Sequence, residues 1–272
     1  MNYFDMHAHS SFSHDAQCSM ESMCARGAEM GLLGVAFTDH YDIQEDIRLE
    51  HIEQSIQSAR ALGEQYEGRL KVLRGVEIGD GAFQKKAWDE AVSRLPFDVV
   101  LGSIHTILTG SAIVPGYSGF RCLKSFDSRQ IQLFLTGYYQ NMLRIAEEMD
   151  FDVLTHLTLP LRYLNGYLHR GVTLEKQYKQ IEQVLKTVIC RGIALEINTS
   201  GAETDWGEIM PDKELLSLYF SMGGRRITLG SDAHTKDRLG AGLAKGAALA
   251  REIGFTHYCY YQNRKPVEVS LD

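Results

Sequence analysis

The sequence predicts an α/β protein, a distorted (β/α)7 barrel of the TIM type. Two observations predict this fold. Seven short apolar runs with the length and β-branched content of buried strands recur along the 272 residues, separated by helix-like stretches. Such alternation indicates parallel strands joined by helical crossovers. The first run leads into His7-Ala8-His9 and not into a glycine-rich phosphate loop, which favours a barrel over an open sheet.

Each predicted strand is continuously apolar, as expected when both faces are buried. The chain is close to the length of one barrel, has only 5 prolines and has no low-complexity stretch, so we expect a single domain over residues 1–272. The predicted strands are Tyr3–Met6, Leu33–Phe37, Leu70–Val76, Phe97–Ile104, Phe151–Leu154, Ile193–Ile197 and Arg226–Leu229.

The segments between the strands carry apolar residues at three- and four-residue spacing, which is typical of helices with one buried face. Ser19 is a predicted N-cap of the first helix, and Gly31 is its predicted stop. Two connections, Ile107–Ser125 and Leu157–Gly171, are unusually long, and long loops at the carboxyl ends of strands cover the site of a barrel. The further predicted helices lie at Leu49–Ala59, Trp88–Leu95, Arg129–Met149, Leu174–Cys190, Lys213–Met222 and Leu239–Ile253.

Composition argues against nucleic acid and membranes as partners. The net charge of −7 disfavours a nucleic-acid-binding protein, which needs a basic surface. No apolar run approaches the roughly 20 residues of a membrane span, and residues 1–7 lack the pattern of a secretory signal. The five cysteines have neither zinc-motif nor redox-motif spacing. We therefore expect a cytoplasmic protein with no nucleic-acid or membrane partner; the oligomeric state stays open.

Six of the ten histidines lie at or just past predicted strand ends, and carboxylates occupy equivalent places. The carboxyl ends of parallel strands meet on one face of a barrel, so these side chains should converge. His7 and His9 are two apart on a strand and point the same way, which makes them a chelating pair. Asp39 directly precedes His40 and is expected to orient the site and not to bind metal. The converging residues are His7, His9, His40, His105, His156 and His234, with Asp15, Asp39, Glu77 and Asp232.

Imidazole and carboxylate ligands favour Zn, Mn or Fe. A single histidine at a strand end is more often a structural residue, but six at strand ends favour a metal site. About nine ligand-type residues exceed the need of one ion, so we expect two to three divalent ions. Sites of this kind, with ions about 3.5–4 Å apart, activate water and bind phosphoryl oxygens. The pattern thus predicts metal-assisted hydrolysis of a phosphoester.

Six motifs, in chain order, resemble those of the PHP (polymerase and histidinol phosphatase) superfamily over residues 5 to about 240. Within it, the segments Ser13–Asp15, Arg162–Tyr163 and Glu196–Gly201 are similar to the monofunctional histidinol-phosphate phosphatases. The six motifs are Asp5-Met6-His7-Ala8-His9-Ser10, Thr38-Asp39-His40, Gly75-Val76-Glu77, Gly102-Ser103-Ile104-His105, Thr155-His156 and Gly230-Ser231-Asp232-Ala233-His234.

The resemblance implies a distorted seven-stranded barrel with three divalent metals, and it implies a ligand set for each metal. Glu77 would bridge the first two ions. The implied ligands are His7, His9, Glu77 and Asp232 for the first ion, Glu77, His105 and His156 for the second, and Asp15, His40 and His234 for the third.

Arg162, on the long connection after the fifth strand, is a candidate to bind a phosphate with two parallel hydrogen bonds; the alternative is a solvated surface arginine. Asn198 ends the sixth strand on the same face, and it and His14 are candidate substrate contacts. Asp232 or His234 could protonate the leaving alkoxide. No serine or cysteine nucleophile is required.

The resemblance implies hydrolysis of a small phosphomonoester, L-histidinol phosphate, to L-histidinol and phosphate in histidine biosynthesis. One alternative is a PHP phosphoesterase that acts on a nucleotide, a sugar phosphate or a phosphotyrosine protein. The other is a non-catalytic PHP binding module. That module should lack several ligands, whereas all of them are present in this sequence.

Overall fold

Seven parallel strands form a nearly closed barrel with helices between them, which confirms the predicted fold. The structure is a computed structural model. It describes residues 2–42, 48–79, 81–109, 112–114 and 120–272, and for 108–109, 112–114 and 120–121 it describes the backbone alone. In order around the sheet the strands are β1 (Phe4–Ala8), β2 (Gly34–Phe37), β3 (Lys71–Ile78), β4 (Val99–Gly102), β5 (Val153–Leu154), β6 (Ala194–Asn198) and β7 (Ile227–Gly230).

The barrel closes between its first and last strands just beyond the regular ladder. Ala8 and Ala233 form an isolated parallel bridge. The amide of His9 donates to the carbonyl of Ala233 over 2.8 Å, and the amide of Asp232 donates to the carbonyl of His7 over 2.8 Å. The backbone of three predicted metal ligands, His7, His9 and Asp232, therefore takes part in closing the barrel.

The helices cover the outside of the barrel near their predicted positions. The hydroxyl of Ser19 accepts a hydrogen bond from the amide of Ser22, and Gly31 adopts a φ of 70° just beyond the first helix, which confirms both predicted helix ends. The helices are α1 (Met20–Glu29), α2 (Leu49–Gln65), α3 (Lys85–Arg94), α4 (Ser128–Glu148), α5 (Tyr178–Arg191), α6 (Lys213–Ser221) and α7 (Leu243–Ile253).

The core lies on both sides of the sheet. Val35, Val100 and Leu195 on the strands are fully buried, as are Trp88 of α3 and Tyr138 of α4. Burying a large apolar side chain completely stabilises the folded state by roughly 1.5–3 kcal/mol relative to leaving it exposed. The continuous apolar runs of the sequence are thus explained by strands that pack against the barrel interior and against helices.

The two long connections contain regular structure that the sequence does not predict. In the first, Ile107–Thr109 pairs with Ala112–Val114 as a small hairpin, and a 3-10 helix covers Phe120–Ser125. In the second, a helical turn at Leu159–Leu161 continues into a π-helix at Arg162–Tyr167. A π-helical turn is uncommon and is often found at functional sites. Among the described residues, none of the helices has both the length and the apolarity that crossing a lipid bilayer requires.

A C-terminal antiparallel hairpin, His257–Gln262 with Lys265–Ser270, packs against the end of the barrel opposite the strand carboxyl termini. At its tip, Asn263 and Arg264 both have positive φ. Their amides donate to Asp98, which precedes β4, and the Arg264 guanidinium contacts Asp150 and Asp152, which precede β5. This hairpin is not predicted from the sequence, because its turn lacks the glycine typical of such turns.

We expect Arg264→Ala to lower the free energy of unfolding by about 2 kcal/mol, the loss typical of hydrogen bonds to charged groups. Burial raises the pKa of Asp152 to about 6 although Arg264 opposes the shift. Without the guanidinium this pKa rises further above the unfolded value, and the ionised carboxylate becomes costlier to bury. The destabilisation should therefore be larger at pH 8 than at pH 5.

Thermal unfolding at the two pH values measures this effect, with exposed Lys265→Ala on the adjacent strand as the control. An equal loss of stability at both pH values would contradict the role assigned to Arg264.

Candidate metal centre

The predicted metal ligands lie together at the carboxyl ends of the barrel strands. Parallel strands bring these ends to one face, so residues more than 200 positions apart become neighbours. The structure places His7 on β1 and His9 after it, Asp15 in the loop that follows, His40 after β2, Glu77 on β3, His105 after β4, His156 after β5, and Asp232 and His234 after β7.

Four of these side chains surround a common centre. His7 Nε2 lies 3.1 Å from His9 Nε2, 3.3 Å from Glu77 Oε2 and 3.7 Å from Asp232 Oδ1. His9 Nε2 lies 3.5 Å from each of the same two carboxylate oxygens. Four ligands held tetrahedrally at about 2.0–2.1 Å from a zinc ion lie roughly 3.3–3.4 Å apart. The spacing of these four atoms therefore fits a single ion.

Glu77 faces two groups of imidazoles, one with each oxygen. Its Oε1 lies 2.9 Å from His156 Nε2 and 3.2 Å from His105 Nε2. Its Oε2 faces His7 and also lies 3.1 Å from His40 Nδ1. A carboxylate in this arrangement can bridge two ions, as the sequence resemblance implies for Glu77.

The third predicted group adjoins the first. Asp15 Oδ2 lies 3.1 Å from His234 Nε2, and Asp15 Oδ1 lies 3.5 Å from His40 Nε2. The ring of His9 stacks on those of His40 and His234, with centroids 4.2 Å apart in both cases. His40 thus lies between groups, with one ring nitrogen toward Glu77 and the other toward Asp15. The groups with ligand atoms within 4.8 Å of one another are His9–His40–His234, His7–His9–Glu77 and His40–Glu77–His105.

The charges in the cluster are strongly coupled. Burial raises the pKa of Glu77, but the nearby charges of His105 and His7 outweigh burial and hold it well below its usual range. Burial lowers the pKa of His40, but contacts with Asp15 and Glu77 raise it to about 10. Protons on the imidazoles thus balance the carboxylates, and divalent ions bound there would take the place of these protons.

Two buried atoms also fit bound cations. Glu77 Oε2 and His234 Nε2 make no hydrogen bond to any part of the chain that the structure describes, although nitrogen or oxygen atoms lie within 3.1–3.5 Å of each. Buried polar atoms normally have partners. Atoms that surround a shared point without bonding one another have the arrangement of metal ligands, so the donor set fits divalent ions.

Two supporting carboxylates were missed by the sequence analysis. Glu196 Oε1 lies 2.6 Å from His7 Nδ1, and Asp42 Oδ2 lies 2.8 Å from His105 Nδ1. Each fixes a ring whose other nitrogen faces the cluster. A signal was present for both, because Glu196 shares a strand face with Asn198 and Asp42 closely follows the strand that ends before His40.

Hydroxyl groups complete the support. Asp39 accepts hydrogen bonds from the hydroxyls of Ser10, Ser13 and Ser55, and Ser13 Oγ also lies 3.2 Å from His9 Nδ1. Asp39 therefore acts on a predicted ligand through Ser13, as expected for an orienting residue. On the other side, Ser103 Oγ donates to Glu77 Oε1 over 2.6 Å.

Arg162 lies next to the first group of ligands. It begins the π-helix, and its Nη1 donates to Ser200 Oγ over 2.7 Å and to Asp232 Oδ2 over 3.2 Å. Its Nη2 donates to the hydroxyl of Tyr163 over 3.1 Å. The Arg162 side chain is only 19% exposed, so Arg162 is not the solvated surface arginine that the sequence left as an alternative.

The other two predicted substrate contacts differ in exposure. Asn198 is fully buried, and its side-chain amide donates to Glu196 over 3.1 Å and to Asp232 over 3.4 Å. His14 is exposed beside the cluster, with its ring centroid 5.5 Å from that of His40. A direct substrate contact for either residue stays a prediction.

Comparisons with known proteins show the family and the fold. The family model described as the PHP domain matches residues 5–200. A protein of Clostridium acetobutylicum named probable histidinol-phosphatase is 30% identical over 91% of this chain and 92% of its own. A Thermotoga maritima protein of the same name is 27% identical over 98% and 99%. The crystal structure of histidinol phosphate phosphatase from Lactococcus lactis, complexed with zinc, L-histidinol and phosphate, superposes with a TM-score of 0.77 at 22% identity over 97% and 98%.

We expect elemental analysis of the purified protein to find two to three equivalents of divalent transition metal per chain. Glu77→Gln and Asp232→Asn should hold fewer ions, because each loses an anionic ligand while keeping its volume. Asparagine also tolerates the φ of 53° at position 232. Far-UV circular dichroism near that of the wild type would show that the barrel is retained. A well-folded, active preparation with one equivalent or less contradicts a site for several ions.

Proposed function

The chain belongs to the PHP domain family, and from this premise we propose that it is a metal-dependent phosphomonoesterase that hydrolyses L-histidinol phosphate to L-histidinol and phosphate. Two contacts carry the proposal: the Glu77 carboxylate has imidazoles on both oxygens, and the Arg162 guanidinium is bound to Asp232, which belongs to the same group of predicted ligands as Glu77. This arrangement places several cation-binding groups and one fixed cation within reach of a single phosphate. The names of the relatives support histidinol phosphate as the substrate.

The proposal extends to the site residues and the setting of the reaction. We assign the nine predicted ligands to two or three ions of Zn, Mn or Fe, within one PHP domain that covers residues 1–272. The Lactococcus lactis complex supports zinc among these metals. We further assign the enzyme to histidine biosynthesis in the cytoplasm, where the activity in the relatives' names would be needed.

Divalent ions in such a site supply a nucleophilic water at neutral pH and positive charge for phosphoryl oxygens. Arg162 adds a planar donor that can bind two phosphate oxygens. Burial raises the pKa of Asp232, but the charge of His7 and a hydrogen bond with His9 hold it well below its usual range. An ionised carboxylate cannot donate a proton. Asp232 is therefore disfavoured as the donor to the leaving oxygen, and donation by His234, whose side chain is a quarter exposed, stays a prediction.

The rival functions differ in what they require of the site. A non-catalytic binding module has no need for a complete ligand set, whereas here all nine predicted ligand residues are present and adjoin one another. This completeness favours a catalyst. A PHP phosphoesterase with another substrate would use the same metal groups, so only a comparison of substrates separates it from the proposal.

The test is steady-state hydrolysis of histidinol phosphate, a nucleoside monophosphate, a sugar phosphate and a phosphotyrosine peptide, with added Zn or Mn. We expect kcat/KM for histidinol phosphate to exceed that for the others by at least about tenfold, because discrimination measures differential transition-state binding. Glu77→Gln should lose at least about a hundredfold and controls for contaminating phosphatases. A higher kcat/KM for another member of the panel would replace the proposed substrate.

Arg162 should determine phosphate binding. We expect Arg162→Ala to lower kcat/KM by about 10- to 150-fold, which corresponds to a charge-assisted hydrogen bond of roughly 1.5–3 kcal/mol. Arg162→Lys should fall between this variant and the wild type, because lysine keeps the charge but loses the two-pronged donor. Metal content should not change. Arg170→Ala, at an exposed position of the same connection, is the matched control. Unaltered kcat/KM in Arg162→Ala would show that another residue binds the phosphate.

A further inference from the structure

We propose that Glu196 is a positioning residue that couples metal binding to phosphate binding, an inference that rests on the proposed function. It is not among the predicted ligands, and its carboxylate does not face the centre of the cluster. It lies on β6, is 1% exposed and joins two groups of ligands to the segment that holds Arg162.

Three donors, on β1, just after β5 and on β6, converge on this carboxylate. Oε1 accepts from His7 Nδ1 over 2.6 Å. Oε2 accepts from the amide of His156 over 2.7 Å and from Asn198 Nδ2 over 3.1 Å. The neighbouring strand leaves room for the pair, because a side chain at Gly230 would collide with Glu196 and with His7. The pocket for Glu196 is therefore built into the packing of the barrel.

The first two contacts act on the metal groups. A carboxylate only accepts hydrogen bonds, so His7 Nδ1 carries a hydrogen, and Nε2, which points toward Glu77 and Asp232, is the ring nitrogen left to bind an ion. The bond to the His156 amide fixes the backbone where that ring leaves β5 toward Glu77. His7 and His156 belong to different predicted ions, and one carboxylate thus sets both ligands.

The third contact, with Asn198, connects Glu196 to Arg162, the proposed phosphate-binding residue. Asn198 Oδ1 accepts from the Ser200 hydroxyl over 2.7 Å and from the Ser200 amide over 3.1 Å. The same hydroxyl accepts from Arg162 Nη1 over 2.7 Å. Glu196, Asn198, Ser200 and Arg162 therefore form a continuous chain of buried or half-buried hydrogen bonds, in which the orientation of each group restricts the next.

Glutamine is a discriminating replacement at this position. Glutamine has about the volume of glutamate, but its side-chain amide has one acceptor oxygen in place of two. The three donors to Glu196 require an acceptor at both oxygen positions. Whichever way the amide turns, its NH2 group faces either His7 Nδ1 or the pair formed by the His156 amide and Asn198. Glu196→Gln should therefore disturb one branch of the network while leaving the packing of the barrel in place.

The experiment measures metal binding and catalysis separately in Glu196→Gln. We expect the zinc or manganese concentration for half-maximal metal retention after dialysis to rise about 10- to 100-fold, the usual effect of removing a group that orients a ligand. Excess metal should restore part of kcat, a rescue that general loss of structure would not allow. Ser200→Ala, which cuts only the phosphate branch, should lower kcat/KM for histidinol phosphate with wild-type metal retention.

Thr228→Val is the matched control. Thr228 pairs with Glu196 in the register of β6 and β7, is 1% exposed, and its hydroxyl has no hydrogen-bond partner within the described part of the chain. This variant should match the wild type in metal retention and turnover. Wild-type metal retention in Glu196→Gln overturns the inference, as does a loss that excess metal leaves unchanged. Because retention is measured without substrate, a different substrate for the enzyme would leave this result standing.

Discussion

The Glu77 carboxylate is buried at the end of β3, with imidazole nitrogens against both of its oxygens. The other strand ends are arranged so that their side chains contact this carboxylate. An ionised carboxylate removed from water needs compensating charge and hydrogen bonds. His105 and His156 supply contacts on one oxygen and His7 on the other, while Ser103 donates the hydrogen bond. The strand ends that provide these groups must therefore meet around one point, which a closed parallel barrel achieves and an open sheet does not.

Closure of the barrel also brings ligand-type residues of the first and last strands together. The last strand reaches the first through Ala8 and Ala233, and Asp5 strengthens this junction by accepting hydrogen bonds from the amides of Ser231 and Gly240. The seam thereby fixes Asp232 against His7. The opposite end of the barrel is covered by the C-terminal hairpin, whose Arg264 and Asn263 bind acidic residues that precede β4 and β5. Polar contacts thus hold both ends of a barrel whose middle is apolar.

The strands and the convergence of the candidate ligands could be predicted because both depend on local pattern. A continuous apolar run followed by a histidine marks a buried strand and its end, and the parallel topology then brings the ends together without knowledge of any contact. Glu196 and Asp42 could not be assigned in this way. A buried carboxylate that orients an imidazole has the same sequence signature as any acid near a strand end, and only the 2.6 Å and 2.8 Å contacts distinguish it.

The elements that were not predicted depend on long-range contacts. The C-terminal hairpin is stabilised by Tyr258, whose hydroxyl accepts from the Phe4 amide, and by stacking of Tyr260 on Phe4, more than 250 residues away. Its turn has positive φ at Arg264, a conformation that an arginine seldom adopts. The π-helix at Arg162–Tyr167 likewise has no periodic signal, because a single turn is too short to show one.

Under the proposed function, a chain with net negative charge binds an anionic substrate, which is electrostatically unfavourable at long range. The net charge of −7 disfavours an approaching anion, but salt screens exposed charges beyond about 8 Å, so the groups nearest the phosphate dominate. At the cluster imidazole protons balance the carboxylates, and bound divalent ions would take the place of these protons. Arg162 adds a cation that depends on neither protons nor metal, and its hydrogen bond to Ser200 holds it independently of its contact with Asp232. The hydrogen bonds behind the ligand-type residues would therefore allow acidic groups that hold ions to lie beside the anionic substrate of the proposed function.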